Sequence, residues 1–254
     1  MYARYVAIGD SSTEGLDDPD GEGGWRGWAD RLAEHVAVTS PGLEYANLAV
    51  RGRVVRQVLD EQLPRALALR PDLATVFAGV NDLLRPGFDP AAVAADVEEL
   101  LAALRGAGAT VLTITVPDPS RVMPLARPLR GRLADFNERV RQAAARTGAG
   151  LADVAAHPVG ADPRLWSLDR LHANALGHER IAAGLAQALG LPGADDAWTR
   201  PLPPPLRRRS HEVLRAEAAW LHTHFTPWVV RRVQGRSSGD DVQPKRPEPA
   251  RVRA

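Results

Sequence analysis

Cysteine is absent from this 254-residue sequence. That removes disulfides, thiolate nucleophiles and cysteine-held metals, and it agrees with a reducing compartment. No apolar run reaches the roughly 18 residues that a membrane-spanning helix needs. No basic segment and apolar stretch precede the first strand, which starts close to Met1, so no secretory signal is expected and the cytoplasm is the expected location. Lysine occurs once, as Lys245, and no Walker-type phosphate loop can be written around it. Aromatic residues make up only 5%, yet the apolar fraction of 44% is enough for a packed globular core. Net charge is small, at +1, but unevenly spread. Residues 200–254 hold 12 basic and 5 acidic residues, against 20 and 26 in residues 1–199. A basic terminal segment of this kind favours solubility and disorder, or an anionic surface.

What is present is an alternation of short apolar runs with longer stretches of helical period. Strands are expected at Tyr5–Gly9, Leu43–Ala49, Leu73–Ala78, Thr110–Val116 and Gly150–Val154. Helices are expected at Gly24–Val36, Val54–Leu69, after the cap Asp89-Pro90, at Leu129–Thr147 and at Ala175–Leu189. Pro64 predicts a kink or an early end to the second of these. Pro117–Pro128 carries four prolines and reads as a loop. Such an alternation predicts a single α/β domain, a parallel sheet of five strands covered on both faces, over residues 1–193. Residues 194–234 read as a Pro-rich linker (201–205) and an amphipathic helical extension (Arg207–His224). Residues 235–254 are polar and Pro-rich, and disorder is expected.

In open α/β sheets, ligands bind beyond the carboxyl ends of the strands. Asp10 and Ser11 follow the first strand. Asn47 to Gly52 follow the second, Gly79-Val80-Asn81-Asp82 the third, and Asp169-Arg170-Leu171-His172 comes after the fifth. These residue types suit nucleophilic acyl transfer. A serine hydroxyl needs a positioned base, and His172 is the candidate. Asp169, three residues earlier, is placed to hold the other ring nitrogen. The N–H groups of Ser11 and Gly52 and the side-chain amide of Asn81 are candidate donors to an oxyanion.

With these blocks in this order, the chain resembles the SGNH hydrolases, also called GDSL esterases or lipases. Gly9-Asp10-Ser11-Ser12, Gly52, Gly79-Val80-Asn81-Asp82 and Asp169-Arg170-Leu171-His172 correspond to the four blocks of that family, over roughly residues 4–190. Ser12 departs from the leucine frequent at that position. The resemblance implies a flavodoxin-like three-layer α/β/α sandwich and a metal-free serine hydrolase that needs no cofactor. Its substrate would be a small-molecule ester: acyl, thioester or acetylated sugar. The Gly-x-Ser-x-Gly elbow of α/β-hydrolases is absent around Ser11.

Each block has a plainer reading when taken singly: a turn, a helix cap, a surface ion pair. Asp10 is expected to shape its turn and Asp82 to cap the following segment. His178 is expected on a helix surface, and neither it nor His222 and His224 has metal-ligand spacing. The basic residues 207–209, 231–232 and 236, with Trp220, Phe225 and Trp228 nearby, permit peripheral contact with a membrane; packing of the aromatics on the main domain is the commoner arrangement, and no nucleic-acid partner is expected. The rival function is a non-catalytic acyl- or glycan-binding module recruited through this extension.

Overall fold

The structure, a computed structural model, describes residues 1–204, 215, 217–227, 230, 234 and 237–252. In chain order the elements are β1 (Arg4–Gly9), α1 (Ser11–Glu14), α2 (Gly27–Thr39), β2 (Glu44–Asn47), α3 (Val55–Gln57), α4 (Leu63–Ala68), β3 (Leu73–Phe77), α5 (Val80–Leu83), α6 (Pro90–Gly106), β4 (Thr110–Ile114), α7 (Arg130–Thr147), β5 (Gly150–Ala152), α8 (Ala175–Ala188) and β6 (Arg246–Arg251). The sheet order is β5-β4-β3-β1-β2-β6. The first five strands are parallel, as the alternation of strand and helix requires. β3 is buried along its whole length, which fits its unbroken apolar run. α2 packs with α8, and α6 packs with α7, so two helical layers enclose the sheet. Trp28, Leu32 and Val36 form the inner face of α2, and Val97, Leu100, Leu101 and Leu104 that of α6. Asp89 caps α6 as its sequence predicts, accepting from the Ala91 and Ala92 N–H groups at 2.9 and 3.4 Å.

Pro64 leaves a mark, though not as a break. A turn of π geometry, Val58–Gln62, joins α3 to α4 immediately before it. Proline offers no N–H to the carbonyl four residues back, and a wider turn absorbs the crowding. The widened turn aims Gln62 into the core. Its amide receives the Gly9 N–H at 2.8 Å and donates to the Gly9 carbonyl at 2.9 Å, holding the end of β1.

The C-terminal stretch departs from the expectation of disorder. Residues 246–251 form β6, antiparallel to β2, so the sheet has six strands rather than five. Tyr45 pairs with Ala250 and Asn47 with Arg246, and the register slips between them. The slip falls on Pro247, Glu248 and Pro249, and proline is accommodated at an edge or a bulge. Composition argues for disorder only where no partner exists; here the open edge of β2 supplies one. The lone lysine pins the strand. Lys245 Nζ donates to the carbonyls of Trp25 (2.9 Å) and Arg26 (2.6 Å) and pairs with Asp30. Arg246 lies over the Tyr45 ring at 5.4 Å. Half of the expected helix Arg207–His224, Trp228 and the basic residues 207–209, 231–232 and 236 lie outside the described residues. The part described includes Trp220 and the π-wound Leu221–Phe225. No helix among the described residues is long and apolar enough to cross a membrane.

Candidate active site

β1 ends at Gly9, whose φ of 154° and surroundings exclude a side chain: a Cβ there would lie 2.1 Å from the Phe77 carbonyl oxygen. The chain can therefore turn tightly against β3. Asp10 caps the short α1 by accepting from Ser12 N–H at 3.1 Å, and Thr13 Oγ1 donates to the Phe77 carbonyl at 3.0 Å. Ser11 is thereby held at the strand tip. On the far side of the chain, the segment after β5 brings back Asp169 and His172.

His172 Nδ1 lies 2.6 Å from Asp169 Oδ2, and Nε2 lies 2.8 Å from Ser11 Oγ. An ionised carboxylate can only accept, so the ring proton sits on Nδ1 and Nε2 faces the serine as an acceptor. Asp169 Oδ1 also accepts from the N–H groups of Leu171 and His172 at 2.9 and 3.0 Å and from Ser167 Oγ at 2.5 Å. Burial pulls the Asp169 carboxyl upward, but the His172 and Ser167 bonds outweigh it and hold it well below the usual carboxylate range. For His172 burial acts downward; the bond and charge of Asp169, with Asp17 and Asp10 beyond, prevail and raise it above the ordinary imidazole value.

The other expected site residues line the same cavity, of about 750 Å³: Gly52 and Asn81 bound it together with Ser11, Asp169 and His172. Gly52 has a left-handed φ of 78°, and a Cβ there would meet Ser237 Oγ. Asn81 Nδ2 donates to the Arg53 carbonyl at 3.0 Å and, more weakly, to Asp10 Oδ2 at 3.4 Å. A smaller apolar pocket beside it shares Leu83, Leu84, Met123, Leu129 and Leu171 in its lining and is bounded further by Val116, Leu165 and Trp166. The Pro117–Pro128 loop and the Trp166 segment thus wall the site.

Several contributors carry no signal of their own in the sequence. Glu14, buried, accepts from the Arg51 N–H at 2.8 Å and from its guanidinium, fixing the loop that carries Gly52. Asp17 Oδ2 stands 3.7 Å from His172 Nδ1 and shares the Ser167 hydroxyl at 2.6 Å. The place of Ser167 two residues before Asp169 is the only hint available. Asp17, Asp169 and His172 are the one group of metal-ligand type among the described residues, and their atoms are already engaged with one another and with Ser167.

Two expectations are corrected. Asp82 does not cap its own following segment: its Oδ2 accepts from the Val55 N–H of α3 at 3.0 Å, and burial pushes it up to about 6. His178 is not on a helix surface but fully buried. Its Nδ1 accepts from the Trp28 N–H at 3.1 Å, and its Nε2–H donates to the Leu16 carbonyl at 2.9 Å. It stands seven residues before Leu185, on the inner stripe of α8, and that period was the available signal. Asp10 shapes its turn as expected, and its burial pushes it up to about 7.

A sheet edge that gathers a serine, a histidine and a carboxylate in hydrogen-bonding sequence is the arrangement of an acyl-transfer hydrolase. Residues 7–180 match the GDSL-like Lipase/Acylhydrolase family, and the chain belongs to that family of ester-hydrolysing enzymes. No curated protein matches the chain in sequence. Solved structures share its fold. LAE5, an alpha/beta hydrolase from the metagenome of Lake Arreo, Spain, is 23% identical with a TM-score of 0.62, covering 74% of this chain and 95% of its own. The lipase Lip_vut3 from a goat rumen metagenome is 19% identical at a TM-score of 0.63, covering 76% and 100%. Axe2, an acetylxylan esterase from Geobacillus stearothermophilus, is 17% identical at 0.62, covering 78% and 96%.

Proposed function

We propose that the protein is a serine esterase working through an acyl-enzyme on Ser11. The observation that carries this reading is the unbroken bonding from Ser11 Oγ through His172 to Asp169, at 2.8 and 2.6 Å. Ser11 Oγ attacks the ester carbonyl carbon while its proton passes to His172 Nε2. The tetrahedral intermediate expels the alcohol, which takes that proton as it leaves. Water then attacks the acyl-enzyme, giving a proton to His172, and the acid departs as Ser11 regains its hydrogen. Asp169 stays ionised, orienting the imidazole and stabilising its charged form.

The oxyanion is held by the N–H groups of Ser11 and Gly52 and by Asn81 Nδ2. Ser11 is the first residue of α1, where a helix leaves its N–H groups without internal partners. The 3.4 Å bond from Asn81 to Asp10 is the weaker of the two the amide makes, so the amide can turn to the oxyanion and keep Arg53. Donors of this kind are worth about 3 kcal/mol in the transition state. The apolar pocket adjoining the cavity suits the acyl part of the substrate, and the wider, more polar cavity suits the remainder.

The test is hydrolysis of p-nitrophenyl acetate and butyrate by wild type and Ser11→Ala, from about pH 5 to about pH 9. Wild-type turnover that disappears in the variant is the expected result. Equal turnover in both proteins would overturn the assignment of Ser11. Turnover in neither, together with retained ligand binding, would favour the non-catalytic module instead.

A further inference from the structure

The residues beyond the family match reach back into the site. Trp220 Nε1 donates to the backbone carbonyl of Asp169 at 3.0 Å. Glu217 grips the guanidinium of Arg170 through two bonds, at 2.7 and 2.8 Å, and that guanidinium lies over the Trp220 ring at 4.6 Å. Arg170 has a φ of 63°, a left-handed conformation that a side chain disfavours. A strained residue thus sits beside Asp169 and two short of His172; its N–H bonds the Ser167 carbonyl at 3.1 Å within the loop, and the extension holds its side chain. Trp220, Thr223, His224, Phe225, Pro227 and Ser238 also form the outer wall of the cavity. Ser237, in the turn beyond, packs on Gly52 on the opposite side of the site.

We propose that Glu217 and Trp220 are, respectively, a positioning residue and a positioning and specificity-determining residue of this enzyme: they clamp the Asp169–His172 loop from outside, and Trp220 closes the cavity around the ester. The proposal rests on the serine-esterase reading for its kinetics, though the clamp itself is a statement about geometry. Trp220→Phe keeps an aromatic ring for Arg170 to cover, removes the N–H and trims the ring system by one ring. Glutamine at 217 keeps size and removes the charge, at a position exposed enough to leave folding untouched. Alanine at 220 opens the wall.

The kinetic experiment compares Trp220→Phe, Glu217→Gln and Trp220→Ala with wild type on p-nitrophenyl acetate and on a bulky p-nitrophenyl ester. In parallel, His172 is titrated by NMR. Loosening the loop weakens the Asp169–His172 bond. Trp220→Phe and Glu217→Gln should therefore lower the imidazole pKa and shift the acid limb of kcat/KM down with it. With the acetate, kcat should fall about fivefold in Trp220→Phe at little-changed KM, the factor of one ordinary hydrogen bond. Trp220→Ala should raise the ratio of kcat/KM for the bulky ester over the acetate. Unchanged His172 titration in the two conservative variants overturns the clamp, and an unchanged ester ratio in Trp220→Ala overturns the wall. Should Ser11→Ala retain activity, the parent reading falls, while the NMR titration still decides the clamp.

Discussion

Two buried imidazoles face opposite demands. His172 is raised because Asp169 compensates its burial, whereas His178 has no carboxylate bonded to it and burial lowers it to about 4. The first should be read in activity. His172 must be neutral to accept the serine proton, so the acid limb of kcat/KM is expected above the free-imidazole value of about 6.5. A pH profile with its limb below that value would contradict the Asp169 bond. The second should be read in stability. A base whose folded pKa is depressed contributes fully above about pH 6.5, and its contribution is lost as pH falls toward the folded value. The stability advantage of wild type over His178→Leu is therefore expected to be largest above pH 6.5 and to shrink in acid. At neutral pH that variant should lose about 1–3 kcal/mol, because the Trp28 N–H and the Leu16 carbonyl are left without their partner. Urea unfolding of both proteins across that pH range checks the magnitude and the sign.

At the scale of elements, one side chain anchors the start of the C-terminal strand beside its pairing with β2. Lys245 and Asp30 are both largely buried, with burial lowering the one and raising the other. Removing the cation leaves a carboxyl buried without its partner, which costs on the order of 3 kcal/mol, whereas an apolar pair of similar volume restores most of it. Lys245→Met is thus expected to destabilise more than the double variant Lys245→Met/Asp30→Leu, measured by urea midpoint. Equal losses would show that the pair does not hold β6. Nothing local announced this strand: Lys245 and its neighbours are polar and Pro-rich, and only the open edge of β2 gives them a partner. The π turn before Pro64 is of the same kind. Proline predicts a disturbance, but that the disturbance would carry Gln62 to Gly9 is a fact of tertiary packing.

For the molecule as a whole, the parallel strands and the residues at their carboxyl ends were legible because apolar runs and strand-end chemistry are local properties. Ser11, Gly52, Asn81, Asp169 and His172 line one cavity for that reason. The supporting contacts of Glu14 and Asp17 were not legible, since each depends on chain segments that meet only in the folded state; for Trp220 the packing on the main domain was the expected arrangement, but its bond to the Asp169 carbonyl was not legible. The same division governs how the sheet ends. One edge, β5, is only three residues long, and the other, β6, carries Pro247 and Pro249. An exposed edge invites another strand, and short or proline-bearing edges blunt it. Without those two prolines the outer side of β6 would gain two N–H donors and a flatter ribbon. Pro247→Val/Pro249→Val is accordingly expected to keep the fold and the Lys245–Asp30 pair but to self-associate as concentration rises. Light scattering after size exclusion would follow the mass of both proteins over a concentration series. A mass that tracks wild type throughout would mean that the prolines serve the bulge opposite Tyr45 and Asn47 and do not guard the edge.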